Sequence, residues 1–142
     1  REATISSLES LGVDRAPIEK ALRALKHPET GLYDYPVIWH FIEQEYCRHE
    51  HTNSPFCLIM FEMRYRTQNG LELLPPQAVQ EAAKRIDTVK RSIDILAHFE
   101  PPTFILLLPA TQVSAATLVA KRLCDILWDS SLGGNLDTRS LA

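Results

Sequence analysis

The sequence predicts one α+β sandwich built on a split βαβ unit, and three observations carry that expectation. A strand-length apolar run at residues 56–63 is followed by a helical stripe at 77–93, then two short apolar runs at 94–99 and 103–108, then a second helical segment at 110–128. Only Glu100-Pro101-Pro102 separates the two short runs, which is hairpin spacing. The chain has 142 residues, 45% apolar and 23% charged, enough for a single core and without the signature of disorder.

The first element is a helix over residues 15–26. Asp14 stands three residues before Pro17 as an N-terminal signal, and Ile18, Ala21, Leu22 and Leu25 recur at helical spacing. Upstream, Thr4 to Leu11 reads as the end of a longer linker helix broken by Gly12. Residues 27–34 form a turn-rich connector, because Pro28 and Gly31 both oppose helix continuation. Val37, Ile38, Phe41, Ile42 and Tyr46 then mark an amphipathic helix over 35–50, ended by Asn53-Ser54-Pro55.

The run from Phe56 to Met63 is continuous rather than alternating, the pattern of a central strand buried on both faces. Residues 67–76 read as a polar, proline-bearing loop. Pro75-Pro76 opens a helix over 77–93, with Ala78, Val79, Ala82, Ile86, Val89 and Ile93 on one stripe. The hairpin pairs antiparallel, the helix over 110–128 follows, and residues 129–142, polar with Gly133-Gly134, read as a mobile tail. This order is most of a ferredoxin-like split βαβ topology, which one further strand would complete. It divides the chain into an N-terminal linker region over 1–26, a domain over 27–128 and the tail.

Composition narrows the function. Fifteen Lys and Arg against eighteen Asp and Glu give a net charge of −3, without the basic excess of a nucleic-acid polymer binder. Cys47, Cys57 and Cys124 are odd in number and lack CxxC spacing, so they read as reduced thiols. No apolar run is long enough for membrane insertion and no N-terminal signal is present, which together predict a cytoplasmic protein. A start at Arg1 reads as that of an excised fragment.

The segment from His27 to about Leu127 resembles a GGDEF (diguanylate cyclase) domain. His27-Pro-Glu-Thr-Gly-Leu-Tyr-Asp34 is similar to the family's opening DPLTGLYNR segment, and Leu58-Ile-Met-Phe-Glu-Met-Arg64 to its first strand, LLLLDID. Ala97-His-Phe-Glu-Pro-Pro-Thr-Phe-Ile-Leu-Leu-Leu-Pro109 is similar to ARYGGDEFAVLLP, with Glu100-Pro101-Pro102-Thr103-Phe104 where the signature stands. The departures imply a degenerate, catalytically inactive member. Proline cannot present glycine-like backbone to phosphates, and the signature's acidic pair is replaced by Pro102 and Thr103. Glu62 matches one metal carboxylate, but Arg64 replaces the second. The guanine-reading Asn and Asp fall at Gly70 and Pro76, with Asn69 one position away. No catalytic residue, metal ligand or cofactor is therefore assigned.

One family feature survives. Arg91-Ser-Ile-Asp94 matches the RxxD motif of the family's inhibitory site, six residues before Glu100, and the resemblance implies a cyclic di-GMP contact through Arg91 and Asp94. An Arg fork suits guanine O6/N7 or phosphate, and a carboxylate accepts from guanine N1/N2. Lys121 or Arg122 would supply a second basic contact. The same two residues, three apart, equally describe an ordinary ion pair. His49 and His51, with His40 and Cys47 nearby, lack metal-site spacing and read as a solvated helix end. Trp39, Phe41 and Tyr46 read as packing residues and Cys57 as core.

The expected function is a non-catalytic regulatory module of a larger signalling protein, with cyclic di-GMP as its small ligand. Its macromolecular partners would be other domains of the same protein or a second copy. The alternative is a ligand-free dimerisation or docking scaffold, and an unconventional diguanylate cyclase is the minor one.

Overall fold

A computed structural model describes residues 11–12, 14–100 and 102–128. The expected linker helix at 4–11 and the tail at 129–142 lie outside the described residues. The elements are α1 (Arg15–Ala24), α2 (Tyr35–Thr52), β1 (Phe56–Glu62), β2 (Arg64–Thr67), β3 (Gly70–Leu73), α3 (Pro76–Asp87), β4 (Ile95–Glu100), β5 (Thr103–Pro109) and α4 (Val113–Trp128).

β1, β5 and β4 form one sheet in that order, with both pairings antiparallel. β1 and β4 thus run parallel with β5 between them and α3 crossing over, which is the predicted split βαβ arrangement. The central strand is β5 rather than β1. Each residue from Phe104 to Pro109 is buried, whereas β1 pairs with β5 alone among the described residues and leaves Leu58 and Met60 exposed. The continuous apolar run at 56–63 does not distinguish these positions, because burial on both faces depends on what covers the sheet.

The two faces of β5 serve two apolar clusters. Leu106 and Leu108 point with Ala82 and Ile86 of α3 and Leu123 and Leu127 of α4 into one, and Ile105 and Leu107 with Ile38 of α2 into the other. Alternation along the strand produces this division.

Three boundaries differ from the sequence reading. Residues 67–76 are no plain loop, since β2 and β3 form a second antiparallel ladder whose turn ends at Gly70, at φ 106. The loop composition conceals a hairpin of two four-residue strands with mixed polar and apolar content. α3 ends at Asp87, not 93, because Thr88 and Val89 donate to the carbonyls of Arg85 and Ile86 and tighten the chain into turns. α4 begins at Val113, three residues late, because Ala110 is left-handed at φ 48 and interrupts the helical path.

Leu106 is fully buried on the central strand. Replacing it with alanine should lower unfolding free energy by about 2–5 kcal/mol, the range for a large-to-small core change. Urea denaturation that shows less than about 1 kcal/mol would contradict the central placement of β5.

Candidate functional site

The signature-like turn joins β4 to β5, with Glu100 opposite Thr103 and a register irregularity between His98 and Glu100. The turn is tied to the end of β1: Met63 N–H donates to Pro102 O at 3.4 Å and Thr103 Oγ1 donates to Glu62 Oε1 at 3.3 Å. Arg64 Nε lies 3.6 Å from the other Glu62 oxygen. The carboxylate at the first-strand position is therefore held by a guanidinium and a hydroxyl. That donor set does not fit a divalent cation, which requires several hard oxygens and no neighbouring positive charge. Among the described residues no group of three His, Cys, Asp or Glu side chains could hold a metal ion. The guanine-reading positions of the resemblance fall in the β2–β3 hairpin, at Gly70, and at the first residue of α3, Pro76.

Beside the turn lies a cavity of about 500 Å³ between the connector 27–34, the β3–α3 junction and the β4–β5 hairpin. Its walls are mostly apolar, including Met63, Leu73, Val79, Phe99 and Phe104, and Pro76 and Pro102 border it. Two histidines line it. His98 is 7% exposed, and its neighbours account for its conformation: Thr30 Oγ1 lies 2.6 Å from Nε2, and its backbone N–H donates to Tyr33 O at 2.9 Å. Its ring meets the edge of His27 at 5.4 Å and lies 5.1 Å from Phe104, while Nδ1 has no hydrogen-bond partner. Burial lowers the His98 pKa below the ordinary histidine value, His27 lowers it further, and Asp34 opposes them.

The connector reaches this wall because Tyr33 bridges both Lys26 and Ala97, which adds the segment to the free side of β4. Gly31 at φ 73 makes the turn, and its N–H donates to His27 O at 2.8 Å. Gln80 of α3 donates through Nε2 to Glu29 O and closes the other side. Sequence reasoning did not single out His98, Thr30 or the cavity. The available signal was alternation: with Ala97 facing one cluster, the neighbouring His98 must face the other, as a polar group on an inward position.

Arg91 and Asp94 lie elsewhere, at the junction of α3 and β4, and they bond to one another. Arg91 Nη2 and Nε donate to Asp94 Oδ1 at 2.8 and 3.1 Å, and the Arg91 backbone N–H donates to Oδ2 at 2.7 Å. Asp94 N–H returns a bond to Arg91 O at 3.0 Å, so the four-residue motif is a closed turn. Arg91 Nη2 also donates to Pro109 O and Thr111 Oγ1, both at 2.7 Å. Thr111 in turn donates its backbone N–H to Pro55 O at 3.0 Å. The pair is a fastener between the α3–β4 and β5–α4 junctions and the start of β1. Its carboxylate side chain is 3% exposed and its guanidinium side chain 49%. Lys121 and Arg122 are exposed on α4, and neither bonds to this pair. The histidine cluster is a helix end as expected, where His49 Nδ1 meets Ser54 O at 3.0 Å.

The sequence matches no protein-family model and no curated protein. Solved structures do match the fold. The diguanylate cyclase SiaD from Pseudomonas aeruginosa, solved with its activator SiaC, superimposes with TM-score 0.75 at 18% identity, over 99% of this chain and 55% of that one. The chain thus spans little more than half of SiaD's length. The GGDEF domain of DgcB from Caulobacter crescentus, solved with c-di-GMP, gives 0.66 at 14% identity over 84% and 73%. The FimX GGDEF domain from Pseudomonas aeruginosa gives 0.57 at 18% identity over 82% and 72%. The chain has the fold of GGDEF domains. No helix among the described residues is long and apolar enough to cross a membrane.

Two predictions follow from the geometry. Arg91→Ala strands the buried Asp94 carboxylate and should lower stability by about 2–3 kcal/mol, less than for a fully buried pair because Arg91 is half exposed. Chemical denaturation that gives no loss would mean the fastener does not hold the junctions. The depressed His98 pKa means that the unfolded chain binds the proton more readily. Its contribution is complete above the ordinary value of about 6.5 and declines as pH falls from there toward the lower folded value. Melting curves between pH 7.5 and 5.5 should therefore fall less steeply for His98→Gln than for the parent chain, and parallel profiles would refute the assignment.

Proposed function

We propose that the chain is a catalytically inactive GGDEF-fold regulatory module of a larger signalling protein and acts through contacts with other domains or a second copy. The single observation that carries this reading is the donor set at the hairpin turn. Glu62 is occupied by Arg64 and Thr103, and Pro102 stands in the turn where the resembling family places signature residues. Phosphoryl transfer depends on positioned metal ions and charge stabilisation at such a site, and a guanidinium beside the Glu62 carboxylate works against both. Regulation by contact has a counterpart in SiaD, whose structure holds an activator protein. The helices α2 and α4 leave Tyr46, Val113 and Leu118 more than half exposed, apolar surface of the kind that neighbouring domains cover.

A second reading, a cyclic di-GMP receptor through Arg91 and Asp94, is favoured by the half-exposed guanidinium and by the nucleotide in the DgcB structure. Ligand would have to replace the bonds from Arg91 to Pro109 and Thr111, so binding would loosen the junction that those bonds close. Occupancy would then shift the population of domain arrangements.

Incubation of the chain with GTP and Mg²⁺ or Mn²⁺ should release no pyrophosphate and form no cyclic di-GMP, and turnover would overturn the inactive reading. Calorimetric titration with cyclic di-GMP decides the second reading. Saturable micromolar binding by the parent chain, lost in a folded Arg91→Ala variant, supports a receptor. An absence of heat leaves the docking module as the function.

A further inference from the structure

The cavity beside the hairpin turn is within the size range of small-molecule sites, about 300–1,000 Å³. Its charge and its shape of lining point to one ligand class. Asp34 and Glu29 are among its lining residues, and among the described residues no Lys or Arg is. Phosphate or any other anion would enter against two like charges with no cation to receive it, at a cost that grows with desolvation. Tyr35 and Phe99 supply aromatic surface, and Tyr35 meets Phe99 edge-on at 4.8 Å and 90°.

Aromatic faces and carboxylates attract the same kind of guest, a cation with an apolar body. His98 does not oppose it, because burial keeps that imidazole neutral at pH 7 and Thr30 fixes its orientation. We propose that this cavity binds a small, flat aromatic cation, its ring against the Tyr35 and Phe99 surface and its charge toward Asp34 and Glu29. The site is independent of the Arg91–Asp94 junction, which contributes no lining residue.

Three probes of one shape and different charge test this: 1-naphthylmethylammonium, 1-naphthalenemethanol and 1-naphthoate, titrated into the chain at pH 7 and low ionic strength and followed by ligand-observed NMR. The ammonium probe should saturate and bind about tenfold more tightly than the alcohol, with the carboxylate weakest. Asp34→Asn keeps a good helix-capping residue, and with Glu29→Gln it should bring the ammonium probe to the affinity of the alcohol. Leu73→Arg, at a wall position 52% exposed to solvent, should abolish ammonium binding without loss of the native circular dichroism spectrum. The proposal is overturned by naphthoate binding as tightly as the ammonium, by equal affinity for the alcohol, by no saturable binding, or by displacement of the probe with GTP and Mg²⁺. Indifference of ammonium binding to all three substitutions also overturns it. Such failure would leave the docking role standing, since that role rests on other surfaces.

Discussion

A buried carboxylate determines how the two halves of this sheet meet. Asp94 closes its own turn by accepting from the Arg91 backbone, and it holds the Arg91 guanidinium in the one orientation that also reaches Pro109 and Thr111. The ends of α3, β5 and β1 are thereby drawn together, with Cys57 Sγ adding a contact to Thr111 O at 3.3 Å. The left-handed Ala110, which costs about 1–2 kcal/mol for a residue with a Cβ, is tolerated because the flanking Pro109 carbonyl and Thr111 hydroxyl both find this partner. An arginine that a motif alone would assign to a nucleotide is thus engaged in structure, and any ligand role must compete with that engagement.

At the opposite end of the strands the chemistry has a different character. The hairpin turn carries prolines, and the carboxylate at the end of β1 accepts from Thr103 and lies 3.6 Å from the Arg64 guanidinium. What remains beside it is an apolar space with acidic residues at its border and a neutral imidazole in its wall. The cavity at this end of the scaffold is lined by aromatic and acidic residues. Fold and site chemistry vary separately, which is why a shared architecture does not transmit an activity.

The sheet and its helices were legible because periodicity reports burial directly. The stripe Ala78, Val79, Ala82 and Ile86 identified α3, and the proline-bearing gap identified the β4–β5 hairpin. The position of β1 in the sheet was not legible, since a continuous apolar run is compatible with an edge whenever one face is only partly covered. The β2–β3 ladder is not legible in the sequence because Arg64 to Leu73 mixes polar and apolar residues without a strong alternating signal. Of the candidate site, Arg91 and Asp94 could be named from their spacing, but not the two further groups that Arg91 engages, because Pro109 and Thr111 lie eighteen and twenty residues away. The cavity depends on the meeting of Thr30 with His98, 68 residues apart, which no local pattern encodes.

The connector at 27–34 has two attachments at once. It forms part of the cavity wall through His27, Thr30 and Asp34, and it carries the chain from α1 into α2. Its bridges to Lys26 and Ala97 leave little freedom between those tasks. The same eight residues therefore set both the path by which the chain enters α2 and one wall of the cavity, with the Thr30–His98 contact holding that wall to β4.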